Sequence, residues 1–144
     1  MTAPGGARVP QCPSAQPGMA GAFVFGVQGQ GRDGRSVGYL PARVPPTADL
    51  LALAGPVKPT EVFRFGAPCA GTACGHFNGR DCRLASKLVQ LTPPASRAIP
   101  ACALRPDCRW WMQEGVAACR RCPRVVTEAY DYTDAEARAA DPAA

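Results

Sequence analysis

Histidine occurs once in this chain, and aromatic residues are few: five Phe, three Tyr and two Trp in 144 residues. One histidine excludes a two-Cys-two-His zinc finger and an H-E-x-x-H metalloprotease. Scarce aromatics, set beside 16 prolines and 15 glycines, leave little regular structure in which to build a large apolar core. A chain of this kind needs a staple: metal, disulfides or a partner. No run approaches the ~20 apolar residues of a membrane span. The apolar stretch 19–27 is broken by Gly21 and Gly26, follows no basic region beyond Arg8 and lacks a small-x-small cleavage site. It does not read as an export signal, so the expected location is the cytoplasm, where thiols stay reduced and free to bind metal. G-x-S-x-G and P-loop patterns are missing. The deaminase signature fails because no H-x-E is present and Pro123 follows the C-x-x-C instead of preceding it. These absences argue against an enzyme.

Cysteine is abundant, with eight in all. Cys12 stands apart in a Pro- and Gly-rich lead over residues 1–20, expected to be disordered, and reads as a free thiol outside any site. The other seven fall into two groups. The first is Cys69-x4-Cys74-x-His76-x5-Cys82, which includes the lone histidine. The second is Cys102-x5-Cys108-x10-Cys119-x2-Cys122. Each group offers four soft ligands, the number a tetrahedral zinc or an iron–sulfur cluster requires. Disulfides and plain buried thiols are the competing readings. The short spacings and the absence of an export signal favour metal.

Between metals, iron–sulfur is the expectation and zinc the alternative. A zinc ribbon usually offers two C-x2-C knuckles, and this chain has one, Cys119–Cys122. Pro123 follows the last cysteine, as proline does in bacterial ferredoxin runs, although the ferredoxin spacing itself is absent. Arg105, Arg109, Arg120, Arg121 and Arg124 would balance an anionic centre of either kind. His76 could instead act as a base for a Cys74 or Cys82 nucleophile. The cysteine-dense surroundings favour a ligand role.

The expected fold is small, irregular α+β. An N-terminal β-hairpin with short strands leads into short helices stapled by metal-binding cysteines. A single cysteine-rich domain spans 21–127, with a β-rich part over 21–66 and a metal-binding part over 67–127. An acidic tail follows over 128–144, either a frayed helix or disordered. Strands are expected at 22–27, 36–40 and 60–65. Gly29-x-Gly31-x-x-Gly34 matches a dinucleotide fingerprint by letter, but a strand follows it where a helix is needed, so Asp33-Gly34 reads as a hairpin turn. Helices are expected from the cap Thr47 to Gly55, from Cys82 to Leu91 with Asp81 as cap and Leu84, Leu88 and Leu91 on one face, and from the cap Asp107 to Gly115.

The charge of +5 is uneven. Glu128, Asp131, Asp134, Glu136 and Asp141 face Arg138 alone in the tail, a net −4, which leaves +9 on the rest. A basic body can meet nucleic acid or an acidic protein.

The stretch from Cys102 to Pro123, with Trp110-Trp111 inside it and Cys119-Arg-Arg-Cys122-Pro123 at its end, resembles segments of uncharacterised small bacterial cysteine-rich proteins. The resemblance implies no particular activity. The expected function is a non-enzymatic metal-binding protein acting in electron transfer, in redox sensing or as an accessory subunit, with a protein partner such as a redox enzyme. The alternative is a zinc-stabilised module that binds nucleic acid or protein through its basic surface. Neither reading involves a membrane.

Overall fold

The computed structural model describes residues 9–31, 34–125 and 132–144. It is a small mixed α+β fold built on a four-stranded antiparallel sheet. The strands are β1 (Gln11–Cys12), β2 (Phe23–Gly31), β3 (Gly34–Val44) and β4 (Phe63–Pro68), in the order β1-β4-β2-β3. The hairpin of β2 and β3 flanks the glycine-rich segment, whose turn at 32–33 lies outside the described residues.

Alternation along the strands gives the sheet two buried faces. Val24, Phe63, Phe65 and Ala67 pack on one side with Leu50 and Leu51 from α1 (Ala48–Ala52), which Thr47 caps through its hydroxyl. Phe23 and Phe25 point to the other side, into the core formed by the C-terminal half. Arg64, between two phenylalanines on β4, is completely buried. At Gly66 a Cβ would meet the Phe23 ring at 2.7 Å, so glycine there lets the two strands close on that ring.

The chain over 60–65 departs from the expected strand. Pro59–Val62 forms a helical turn, α2, and β4 begins only at Phe63. Proline pre-sets φ for a first helical position, and the Glu61 carboxylate accepts the Lys58 N–H at 3.2 Å, so the turn is closed before the strand starts.

Residues 9–20 also depart from expectation. Part of the lead read as disordered is instead the edge strand β1, with Gln11 paired to Pro68 and Cys12 to Ala67. Pro13 and Ala15 are buried, and the Ala15 N–H donates to the Phe65 carbonyl at 3.0 Å. Prolines that prevent regular structure in isolation are tolerated at a sheet edge, where the missing N–H is not needed. Residues 1–8 lie outside the described part.

The C-terminal half is helical and short-stepped. Its longest helix is α3 (Arg83–Leu91), which buries Leu84, Ala85 and Leu88. Burial of that stripe stabilises the half by roughly 1.5–3 kcal/mol per large side chain. The cap is Cys82 rather than Asp81. Next come α4 (Arg109–Glu114) and α5 (Val116–Cys119), separated at Gly115, whose φ of 68° is the left-handed region that favours glycine. The acidic tail carries a helix, α6 (Asp134–Ala140), packed against α3 with Ala139 fully buried. Among the described residues no helix is long and apolar enough to cross a membrane.

Candidate metal centre

The fold gathers the eight cysteines into two sets of four. Pairing of β1 with β4 brings Cys12 beside the segment leading to Cys69, whose N–H donates to the Pro10 carbonyl at 2.8 Å. A 3-10 turn, Gly71–Ala73, delivers Cys74. The chain then reverses at Asn78, whose side-chain oxygen accepts the Arg80 and Asp81 N–H groups at 3.0 and 2.8 Å. A bridge between Phe77 and Cys82 returns the fourth sulfur. Gln113 of α4 clamps Cys82 in place, accepting its N–H and donating to its carbonyl, both at 2.8 Å. Cys12, Cys69, Cys74 and Cys82 line one cavity of about 360 Å³, with Phe77, Arg109 and Trp110 also in its wall.

The second set surrounds a smaller void of about 30 Å³, lined by Cys102, Cys108, Cys119 and Cys122 together with Phe25, Tyr39 and Trp110. Cys102 sits in the loop before the 3-10 turn Arg105–Asp107. Cys108 rather than Asp107 caps α4, Cys119 ends α5, and Cys122 opens the turn Cys122–Arg124. Trp110 is the one residue common to both cavity walls and is 2% exposed. Its indole N–H has no acceptor in hydrogen-bonding geometry, yet it lies near enough to the Cys82 sulfur to favour the thiolate.

Sequence reasoning placed His76 in the first set and left Cys12 out. The structure puts Cys12 in that cavity wall, and His76 is not part of it. The His76 backbone N–H donates to the Cys74 sulfur at 3.4 Å. Its imidazole lies in the field of Lys87, Arg83 and Asp141, and burial lowers its pKa. Four residues that the sequence reading had not marked bear on the second set: Arg64, Tyr39, Phe25 and Pro13. An arginine alternating with phenylalanines in a strand, as in Phe63-Arg64-Phe65, was the available signal for the first of these.

Two opposed influences act on the sulfurs. Burial pushes the Cys12 and Cys108 thiols up to about 12 and also raises Cys82, Cys102 and Cys119. Against this, backbone N–H groups are aimed at sulfur: Ser14 at Cys12, Leu84 and Ala85 at Cys82, Leu104 and Arg105 at Cys102, Trp110 and Trp111 at Cys108. Arg64 adds a full charge. Its Nη2 donates to the Cys122 sulfur at 3.3 Å and to the Pro13 carbonyl at 2.7 Å, while Nη1 donates to the Cys122 carbonyl at 2.8 Å. Burial is the largest single influence on Arg64 and opposes its cation, but Cys122, Tyr39 and Tyr132 together outweigh it, and its pKa is raised. Burial, and then Cys122, raises Tyr39.

All eight cysteines are free thiols. Among the described residues no group of three or more His, Cys, Asp or Glu side chains is set to hold a metal ion as the chain stands. No family model, curated protein or solved structure matches the chain.

Proposed function

We propose that this chain is a non-enzymatic iron–sulfur protein. Its cysteines form two four-cysteine metal sites, with an iron–sulfur cluster in the larger cavity, and the bound metal staples its C-terminal half. The observation that carries this reading is the partition of the eight cysteines into two sets of four with none left over. Amide donors aimed at buried sulfurs suit thiolates, and a bound metal cation would offset the desolvation of buried thiolates. The proposed ligands are Cys12, Cys69, Cys74 and Cys82 in the first set, and Cys102, Cys108, Cys119 and Cys122 in the second. His76 is not among them.

Cluster is preferred to single ion on size. Tetrahedral zinc–thiolate bonds of about 2.3 Å bring the sulfurs within about 4 Å of one another. Here the first set of sulfurs lines a cavity of about 360 Å³, broader than one ion needs. An occupant broader than one ion, of the 4Fe–4S kind, fits the first cavity best. The smaller second void, about 30 Å³, is the observation that favours the other reading, compact zinc sites in a module whose basic surface binds nucleic acid or an acidic protein. In the preferred reading the work is electron transfer, redox sensing or service as an accessory subunit. A reducing compartment such as the cytoplasm and a redox-enzyme partner go with it.

Anaerobic purification, an ultraviolet–visible spectrum and elemental analysis separate the two readings. A brown protein containing iron and acid-labile sulfide supports the first. A colourless protein with about two zinc supports the second. A chain that binds neither overturns both.

A further inference from the structure

Each sulfur of the second set is met by a donor. The Leu104 and Arg105 N–H groups face Cys102, and those of Trp110 and Trp111 face Cys108. The Arg105 side chain is near enough to hydrogen-bond Cys119, and Arg64 Nη2 donates to Cys122 at 3.3 Å. Four thiolates around one divalent cation leave net negative charge, which two neighbouring guanidiniums help to offset. The walls then set the size of the occupant. The void is about 30 Å³, little more than a water-sized occupant needs. Phe25, Leu104, Trp110 and Ala118 line it, none more than 2% exposed. They belong to the main core, and widening the void would displace close-packed side chains at a cost in stability. A four-iron cluster, with its sulfides, needs that widening. A single ion does not. The first cavity, of about 360 Å³, sets no such limit.

We propose that Cys102, Cys108, Cys119 and Cys122 hold one zinc ion instead of a cluster, so that the chain pairs a redox centre in the first cavity with a redox-inert structural centre in the second. The inference rests on the reading of two metal sites above and names the occupant of the second. Soft thiolates select zinc over hard divalent cations, and zinc has no redox chemistry of its own. Each thiol releases its proton to solvent as its sulfur binds, and no electron is transferred. Among the described residues no group is set for an ion as the chain stands, so binding draws the four sulfurs inward. Sulfurs around a small void close on one ion more readily than they open for a cluster.

The test is anaerobic preparation of the full chain with iron, sulfide and zinc supplied, followed by elemental analysis and X-ray absorption at the zinc edge. About one zinc per chain is expected beside iron and sulfide, in a shell of four sulfurs at about 2.3 Å. Cys119→Ser should lose a greater share of its zinc than of its iron, and Cys69→Ser the reverse. If neither variant folds, the zinc count and the sulfur shell of the wild-type chain decide. Iron and sulfide without sulfur-bound zinc, or a Cys119→Ser chain that loses a greater share of iron than of zinc, overturns the zinc site and leaves the cluster reading standing. About two sulfur-bound zinc and no iron overturns the cluster reading and leaves the zinc site standing. A chain that binds neither metal overturns both.

Discussion

Gln11 and Cys108 meet in a parallel β-bridge. The short edge strand that carries Cys12 is thereby fastened to the turn that opens the second cysteine set. Each cysteine set is built partly on the other's scaffold, so disrupting one should loosen both.

Cys12 gives the sharpest test of the ligand assignment. As a free thiol in a loose lead it would be silent to mutation. As a wall residue of the first cavity it should behave like Cys69. Cys12→Ser should lower iron and sulfide content to the same extent as Cys69→Ser, while His76→Ala keeps both near wild type. Elemental analysis of the three variants checks this. Full metal content in Cys12→Ser together with loss in His76→Ala would restore the assignment made from sequence.

The second set makes a separate demand. Cys108 and Cys122 are both buried and both line the void against Trp110. Metal binding at such a site is coupled to folding. Cys108→Ser and Cys122→Ser should each lose the second centre and shift Trp emission, with thermal stability reduced by at least about 3 kcal/mol. Fluorescence and metal content unchanged in both variants would remove the four-cysteine site.

The elements whose determinants are local were legible in the sequence. Leu84 and Leu88 announce α3, and Gly115 marks the end of α4. The second cysteine set follows from spacing because its members lie within one short stretch. Cys12 was not legible beside Cys69, Cys74 and Cys82, because it reaches their cavity wall through the β1–β4 pairing. His76, near in sequence, is turned toward α3 and the tail instead. Arg64 was hidden for a related reason: an arginine in an alternating strand reads as solvent-facing until a second layer covers that face. The tail helix did have a signal, the Thr133-x-x-Glu136 capping box, with Glu136 N–H to Thr133 Oγ1 at 3.1 Å and Thr133 N–H to Glu136 Oε1 at 3.0 Å.

Acidity should act in opposite directions on the metal-free and metal-loaded chains. In the metal-free chain burial raises Cys12 and Cys108 to about 12, above the unfolded thiol value of about 8.5. The folded state then holds protons that the unfolded state releases, so stability is unaffected below pH ~8.5 and falls as pH rises toward 12. The loaded chain holds thiolates, and protons compete with metal for them, so it should lose metal as pH falls. Urea midpoints measured on both forms at neutral and mildly alkaline pH check the first half. Metal retention on acidification checks the second. A metal-free chain that gains stability from pH 8 to 10 would contradict the burial of these two thiols.

The tail supplies the last expectation. The tail over 128–144 reads from the sequence as a frayed helix or disordered, but α6 packs on α3, and Glu136 is 3% exposed. Its carboxylate meets Arg124 Nη1 at 3.1 Å, and Arg124 also donates to the carbonyls of Pro93 and Pro94. Arg124 lies two residues past Cys122, so the ion pair ties the tail to the last cysteine of the second set. Losing one charged partner of a buried carboxylate costs roughly 1.5–3 kcal/mol. Arg124→Ala should therefore destabilise the chain by about that much. Glu136→Gln, which removes the carboxylate charge and keeps the side chain's shape, should cost less. Truncation before Tyr132 should lower the unfolding midpoint and loosen the second centre, seen as faster metal loss to a chelator. A truncated chain as stable as the whole, with unchanged metal retention, would show that α6 contributes nothing to the centre.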